Sequence, residues 1–303
     1  MAFLYALPGA IAEGLIWGLM AIGVYISYKI LDIADLTVDG SICTGACVCA
    51  VLLGLGIPVW ICIPVAFLAG ALAGVVTGLL HTALGIPSIL AGILTQLMLY
   101  SVNLVILGGK SLMAVDHRTN MLLVHMSNNP MSIAAMVTMV AVTIIVLWQF
   151  FYTEVGLTLK STGDNPDMSR AQGVDVNRNK VIGLAIANGI VAMAGAMLAQ
   201  YKGSANINDG RGAIVIALAA IFIGLSVSLK IKPNFVVSLI GVVSGGVVYY
   251  IVYNFVILLG LKTDYLKMLS AIIVALFLGI PYMKAEYFTK QKAPQQTGGK
   301  TNA

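Results

Sequence analysis

Between Asp39 and Lys110 the sequence contains no Asp, Glu, Lys or Arg. Charged residues make up only 10% of the 303, hydrophobic residues 59%, and the mean hydropathy is +0.97. These values lie outside the globular range and exclude a soluble domain. At about 20 residues per helical span, the uncharged run alone holds roughly three crossings. The alternating segments of about ten residues that mark transmembrane β-strands are also missing. The fold class is therefore all-α, a polytopic transmembrane helical bundle.

Further absences narrow the chemistry. No phosphate loop exists, since Gly299-Lys300-Thr301 has Pro294 where the earlier glycine would stand. This chain is expected to hold no ATP site and no cofactor of its own. Nucleophile motifs, H-E-x-x-H and paired intramembrane carboxylates are missing too, which leaves an enzyme without a basis. Cys43, Cys47, Cys49 and Cys62 sit in apolar surroundings with no His or carboxylate at ligand spacing, so they read as packing residues and not as a metal site. His81, His117 and His125 belong to no metal motif and suit loop or interface roles. Spans 41–107, 131–152, 181–201, 213–229 and 234–259 lack ionisable carriers of proton or sodium coupling; the nearest candidates, Asp32, Asp35 and Asp39, lie at a predicted break. An ion-coupled secondary carrier and a membrane scaffold stay as rival readings.

What is present is a series of apolar blocks near 10–28, 41–56, 58–80, 86–107, 131–152, 181–201, 213–229, 234–259 and 269–284. They give eight to ten spans, broken or re-entrant segments included. The block 86–107 either crosses or re-enters, which leaves the side of the N-terminus open. Residues Met1 to Pro8 lack a basic region and a cleavage pattern, so the first apolar segment is expected to stay as a helix. Gly70, Gly74 and Gly78, and again Ala192, Ala196 and Gln200, recur at four-residue spacing, which lets helix backbones approach closely.

The formal charge of +5 and pI near 9.0 come from scattered basic residues, which orient helices and do not form a nucleic-acid patch. With connection 153–180 in the cytoplasm, four basic residues fall there, two in 230–233 and four in the C-terminal region. Ten of the seventeen then lie inside, in accord with the positive-inside rule, and 108–130 and 203–212 lie outside. The domain reading is one permeation unit over 1–285 and a cytoplasmic tail over 286–303.

Two stretches echo each other: "IADLTVDGS" (33–41) and "SANINDGRG" (204–212) each place an acidic residue and glycine before a small, apolar segment. Transporter repeats place broken helices at the substrate path. Asp35, Thr37, Asp39, Gln96, Asn103, Asn188, Gln200, Asn206 and Asp209 are the candidate pathway residues. Two roles fit them: lining a pathway, or joining helices through hydrogen bonds.

The stretch "TGDNPDMSRAQG" (162–173) is polar. Asn165 can cap a following turn, Pro166 fits the first helical position, Asp167 complements the dipole, and Gly173 suits a left-handed stop. The result is a helix of about two turns with no core of its own, which fits either a plain turn between spans or a helix that docks in a partner's groove.

"GLTLKSTGDNPDMSRAQGVDVNRNK" (156–180) resembles the cytoplasmic segment of permease subunits of bacterial ABC importers of the branched-chain amino acid and ribose type, with their G-x-N-P-x-x-A/S-x-x-x-G-V/I pattern. Lys160-Ser161-Thr162 departs from the Arg-Ala usual there. "ADLTVDGS" (34–41) is similar to their D-L-S-V-G-S element, with Asp39 added, and "LGIPSILAGILTQLMLYSVNLVILGG" (84–109) to their next landmark. The resemblance implies the prokaryotic cytoplasmic membrane, a second permease copy, two cytoplasmic ATPase subunits holding ATP and Mg, and an extracytoplasmic substrate-binding lipoprotein. It makes 163–174 a coupling helix, with Gly163, Asp164, Asn165, Pro166, Asp167, Met168, Arg170, Ala171, Gly173 and Val174 as contact or shaping residues. The branch it resembles pairs with amino-acid-binding lipoproteins, tryptophan-type systems among them, so an amino acid, in particular an aromatic one, is favoured over a sugar or nucleoside.

Overall fold

The computed structural model describes residues 2–115, 122–124, 129–228 and 234–258, with isolated positions between 268 and 279. Ten helices and a two-stranded ribbon follow one another: α1 (Ala2–Tyr25), which ends in a π-turn (Ile26–Ile30), α2 (Val38–Gly54), α3 (Val59–Thr82), α4 (Ser88–Ile106), β1 (Leu112–Ala114), α5 (Asn129–Phe151), α6 (Glu154–Asp164), α7 (Pro166–Ala171), α8 (Val176–Lys202), β2 (Ser204–Asn206), α9 (Ala213–Ser228) and α10 (Phe235–Leu258). Six of these are long and apolar enough to cross a membrane, and α2 and α9 are shorter apolar helices. The expected helical bundle is thus found, with eight apolar helices among the described residues. The block 86–107 is one helix of crossing length. The block 269–284 and the tail 286–303 fall almost wholly outside the described residues, as do His117 and His125.

Small residues decide how the bundle closes. The most extensive helix contact joins α3 to α8. There Gly70 faces Asn188 and Ala192, Gly74 faces Leu184, and Gly78 faces Val181, so a β-carbon at Gly74 would fall on the Leu184 carbonyl. The four-residue glycine spacing is therefore an interface stripe, as small residues in lipid demand. Gly14 and Gly18 pack α1 on α10 at Val247 and Val243, and Gly45 sets α2 on Ala192 of α8. Of the six helices of crossing length, α1 and α8 are the most buried and α4 and α5 the least.

The ends of the bundle are tied by backbone pairing. β1 pairs antiparallel with β2, Met113 opposite Ala205, so the segments after α4 and after α8 lie at one end. Tyr201 Oη donates to the Gly9 carbonyl (3.4 Å), which brings the start of α1 to that end as well. At the other end Lys180 Nζ lies 3.2 Å from His81 Nε2, while His81 Nδ1 is 2.8 Å from the Ile86 carbonyl. His81 thus links the end of α3 to the start of α8, an interface role as its sequence setting implies.

Candidate functional site

The chain breaks after the π-turn, where Asp32 adopts φ +54°. It resumes as α2 behind a buried polar cluster. Asp35 Oδ1 accepts from Thr37 N–H (2.9 Å), an Asx-type turn that starts the helix. Asp35 Oδ2 accepts from Asn188 Nδ2 (2.6 Å), and Ser41 Oγ donates to Asn188 Oδ1 (2.6 Å). The Thr37 hydroxyl turns away from capping and lies 2.7 Å from Thr77 Oγ1, which is 3.0 Å from Thr95 Oγ1. All six side chains are buried. One hydrogen-bonded chain therefore runs through the break, α2, α3, α4 and α8.

The two echoing stretches meet. Asp39, in the first turn of α2, accepts from Gly212 N–H at Oδ2 (2.8 Å) and from Ile214 N–H at Oδ1 (2.9 Å), so its carboxylate caps the start of α9. Cys43, one turn on, donates to the Ile207 carbonyl (3.3 Å), and its sulfur accepts from Gly210 N–H (3.1 Å). Gly210 packs on the Asp39 carbonyl with no room for a β-carbon.

Beside this joint lies a cavity of about 390 Å³ lined by Asp39, Gly40, Cys43, Gln96, Leu97, Tyr100, Asn103, Ile207 and Arg211. Gln96, Tyr100 and Asn103 fall on one face of α4 at i, i+4 and i+7. Asn103 is 1% exposed, and its Oδ1 has no hydrogen-bond partner. Arg211 also borders a second cavity of about 420 Å³ lined by Trp17, Lys202, Asp209, Tyr250 and Tyr253. In it Lys202 Nζ pairs with Asp209 Oδ2 at 3.4 Å, and Trp17 stacks on Tyr250.

At the opposite end of α8 the connection after α5 folds into two helices. Asn165 Oδ1 accepts from Met168 N–H (2.9 Å), Pro166 opens α7, and Gly173 takes φ +82° after it. Gly163 and Asp164 lie in α6, not in the short helix as the stretch 163–174 implies. That helix, Glu154–Asp164, is capped by Thr153 and was hidden because its polar, amphipathic composition resembles a loop. Hydrogen bonds anchor the pair: Asn179 Nδ2 donates to Thr162 Oγ1 (2.9 Å), and Ser169 Oγ donates to Ser161 Oγ (3.3 Å). Gly163 rests on the Ile30 backbone. Met168 is 59% exposed, and Asp167 and Arg170 form an exposed pair at 3.4 Å.

Residues 8–278 match the family described as the permease component of branched-chain amino acid transport systems. This chain belongs to that family of ABC-type permeases. It is an integral protein of the cytoplasmic membrane. It is 36% identical over 267 residues to a tyrosine transport system permease protein of Clostridioides difficile, 88% of each chain. It is 30% identical over 279 residues to an uncharacterized protein of Rickettsia prowazekii, 91% of this chain and 97% of that one. With the ribose import permease protein of Escherichia coli K12 it shares 23% identity over 244 residues, 80% of this chain and 75% of that one. No solved structure matches at a significant level.

The permease thus sorts its candidate pathway residues into three groups. Asp39, Gln96 and Asn103 border one cavity, and Asp35, Thr37 and Asn188 form the buried cluster. The others tie segments together or border the second cavity: Gln200 Oε1 accepts from Leu123 N–H (3.3 Å), Asn206 Oδ1 accepts from Asn208 N–H (2.9 Å), and Asp209 pairs with Lys202 in the second cavity. Sequence reasoning passed over Tyr100 and Arg211, although Tyr100 shares the helical face of Gln96 and Asn103 and that spacing was readable. It also passed over Ser41, Thr77 and Thr95, ordinary helix residues until tertiary contacts join them. Among the described residues no group of three or more potential metal ligands occurs.

Proposed function

We propose that this permease forms, with a second copy of itself, the pathway of an importer for an amino acid of aromatic type, driven by two ATPase subunits and supplied by a substrate-binding lipoprotein. The observation that carries it is α7: an exposed, capped helix tied to α6 by Ser169–Ser161, with α6 itself fixed by Asn179–Thr162 and the Gly163–Ile30 contact. A short helix fixed through α6 to α8 and to the π-turn that ends α1 passes a push from a cytoplasmic partner into the bundle as rigid-body motion. A floppy loop would absorb it.

The amino-acid assignment is supported by the tyrosine permease relative, similar over most of both chains. A cavity bordered by the charged side chains of Asp39 and Arg211 supports transport, because charges in an apolar bundle are retained where they face water or a partner and not lipid.

The coupling role is tested by co-purifying the permease with its cognate ATPase before and after Met168→Asp. Loss of the partner or of coupled ATP hydrolysis is expected. A variant that keeps both rejects the docking role. Calorimetry of the cognate binding protein against amino acids and sugars tests the substrate: aromatic amino acids are expected to bind, and binding of ribose alone rejects the amino-acid reading.

A further inference from the structure

We infer that the cavity between α2, α4 and the start of α9 is a subsite for the α-carboxylate and α-ammonium groups of a free amino acid, with Arg211 and Asn103 as its two poles. This rests on the amino-acid reading above and goes beyond it by naming the groups that recognise the substrate.

The charge distribution points there. Asp39, the cavity's carboxylate, accepts N–H bonds from Gly212 and Ile214, so α9 offsets much of its charge. Asp209 is paired with Lys202. Among the described residues no carboxylate stands within ion-pair distance of Arg211, which borders the cavity with an exposed side chain. A guanidinium of this kind takes a ligand carboxylate in a planar, two-pronged bond.

The second pole is Asn103. The buried amide oxygen of Asn103 has no partner, a desolvation cost that a ligand donor removes. Asn103 lies on the cavity wall, and a small turn of its side chain would bring that oxygen to an N–H of a bound ammonium group. Gln96 adds a donor and an acceptor between the poles, and Tyr100 and Leu97, both exposed at the mouth, give an apolar bed for a side chain. A sugar has no carboxylate for Arg211 to meet, so Arg211 favours a ligand with a carboxylate, and Asn103 adds an acceptor for its N–H donor.

The test uses the full-length permease with its ATPase in lipid nanodiscs, titrated with L-tyrosine, L-tyrosinamide, N-acetyl-L-tyrosine and D-ribose and followed by saturation-transfer NMR. Wild type is expected to bind tyrosine about tenfold more tightly than either analogue, the size of one lost charged contact. Arg211→Gln lowers tyrosine affinity to that of the amide and leaves the amide unchanged, whereas Arg211→Lys recovers part of the loss. Asn103→Leu does the same for tyrosine against the N-acetyl compound. ATPase retention in each variant reports an intact fold. The subsite is overturned if wild type binds no tyrosine, if tyrosine affinity survives both substitutions, or if acid and amide weaken equally. Uptake by the complete transporter in vesicles separates the two levels. Import of tyrosine with an unaltered titration rejects the subsite alone, and import of ribose without amino acids rejects the reading beneath it.

Discussion

The carboxylate of Asp39 accepts hydrogen bonds from the backbone N–H groups of Gly212 and Ile214, so a residue of the first turn of α2 caps α9 some 175 positions later. The contact fixes one short helix against another, and with Cys43 on Ile207 and Gly210 it holds the loop between the two cavities in place. A side-chain acceptor at a helix start contributes about 1 kcal/mol, more when it is ionised and half-buried. Asp39→Ala is expected to destabilise the permease by about 1–2 kcal/mol. Asp39→Asn, which keeps one acceptor, should lose about half as much. Thermal unfolding in detergent orders the variants; equal midpoints for all three would remove the cap from the account.

Asn188 satisfies two neighbours at once, donating to Asp35 and accepting from Ser41. Its loss leaves Oδ2 of the buried Asp35 carboxylate without its amide donor, which is more costly than a lost neutral bond. Asn188→Leu is therefore expected to cost about 3–5 kcal/mol and to reduce folded yield sharply, while Ser41→Ala costs about 1 kcal/mol. Because both act through one amide, the double variant should lose less than the two separate losses together. Strict additivity in chemical unfolding would show that the cluster does not act as a unit.

Gly74 on α3 touches the Leu184 carbonyl of α8, whereas the nearest atom to a β-carbon at Gly54 is the mobile end of Met113 at 3.0 Å. Gly74→Ala must push two helix backbones apart, and Gly54→Ala asks only that a methionine turn. Gly74→Ala is expected to abolish monodisperse permease on size-exclusion chromatography, and Gly54→Ala to stay within about 1 kcal/mol of wild type. The reverse order would place the close α3–α8 approach in doubt.

The features readable from sequence share a physical property: their causes are local. Asn165, Pro166 and Gly173 announce a short helix because capping and backbone preference act within a few residues. Gly70, Gly74 and Gly78 announce a close contact because their spacing repeats with the helix. The echoes at 33–41 and 204–212 were visible as patterns, yet nothing in them says that Asp39 reaches Ile214. Thr77 and Thr95 looked like ordinary span residues, and their pairing depends on how α3 and α4 cross. α6 was missed for the opposite reason: a polar face on a helix lying outside the apolar blocks reads like a connection. The cavity followed the same division. Gln96, Tyr100 and Asn103 line up on paper, but Arg211 joins them only when the segment after α8 folds back on α2.

The cap of α7 separates the helix's stiffness from its chemistry of contact. Asn165 Oδ1 accepts from Met168 N–H, and without that acceptor the first turn loses about 1 kcal/mol of a six-residue helix that has little to spare. Asn165→Ala leaves the exposed Met168 and the Asp167–Arg170 pair in the sequence but lets the first turn fray. Coupled ATP hydrolysis, stimulated by the loaded binding protein, is expected to fall several-fold, while partner retention on a pull-down falls less. Asn165→Asp preserves the acceptor and adds a charge that favours the helix start, so it should restore coupling to near the wild-type rate. If alanine and aspartate couple equally well, stiffness at the start of α7 is not what carries the motion, and the contact surface of Met168 alone must account for it.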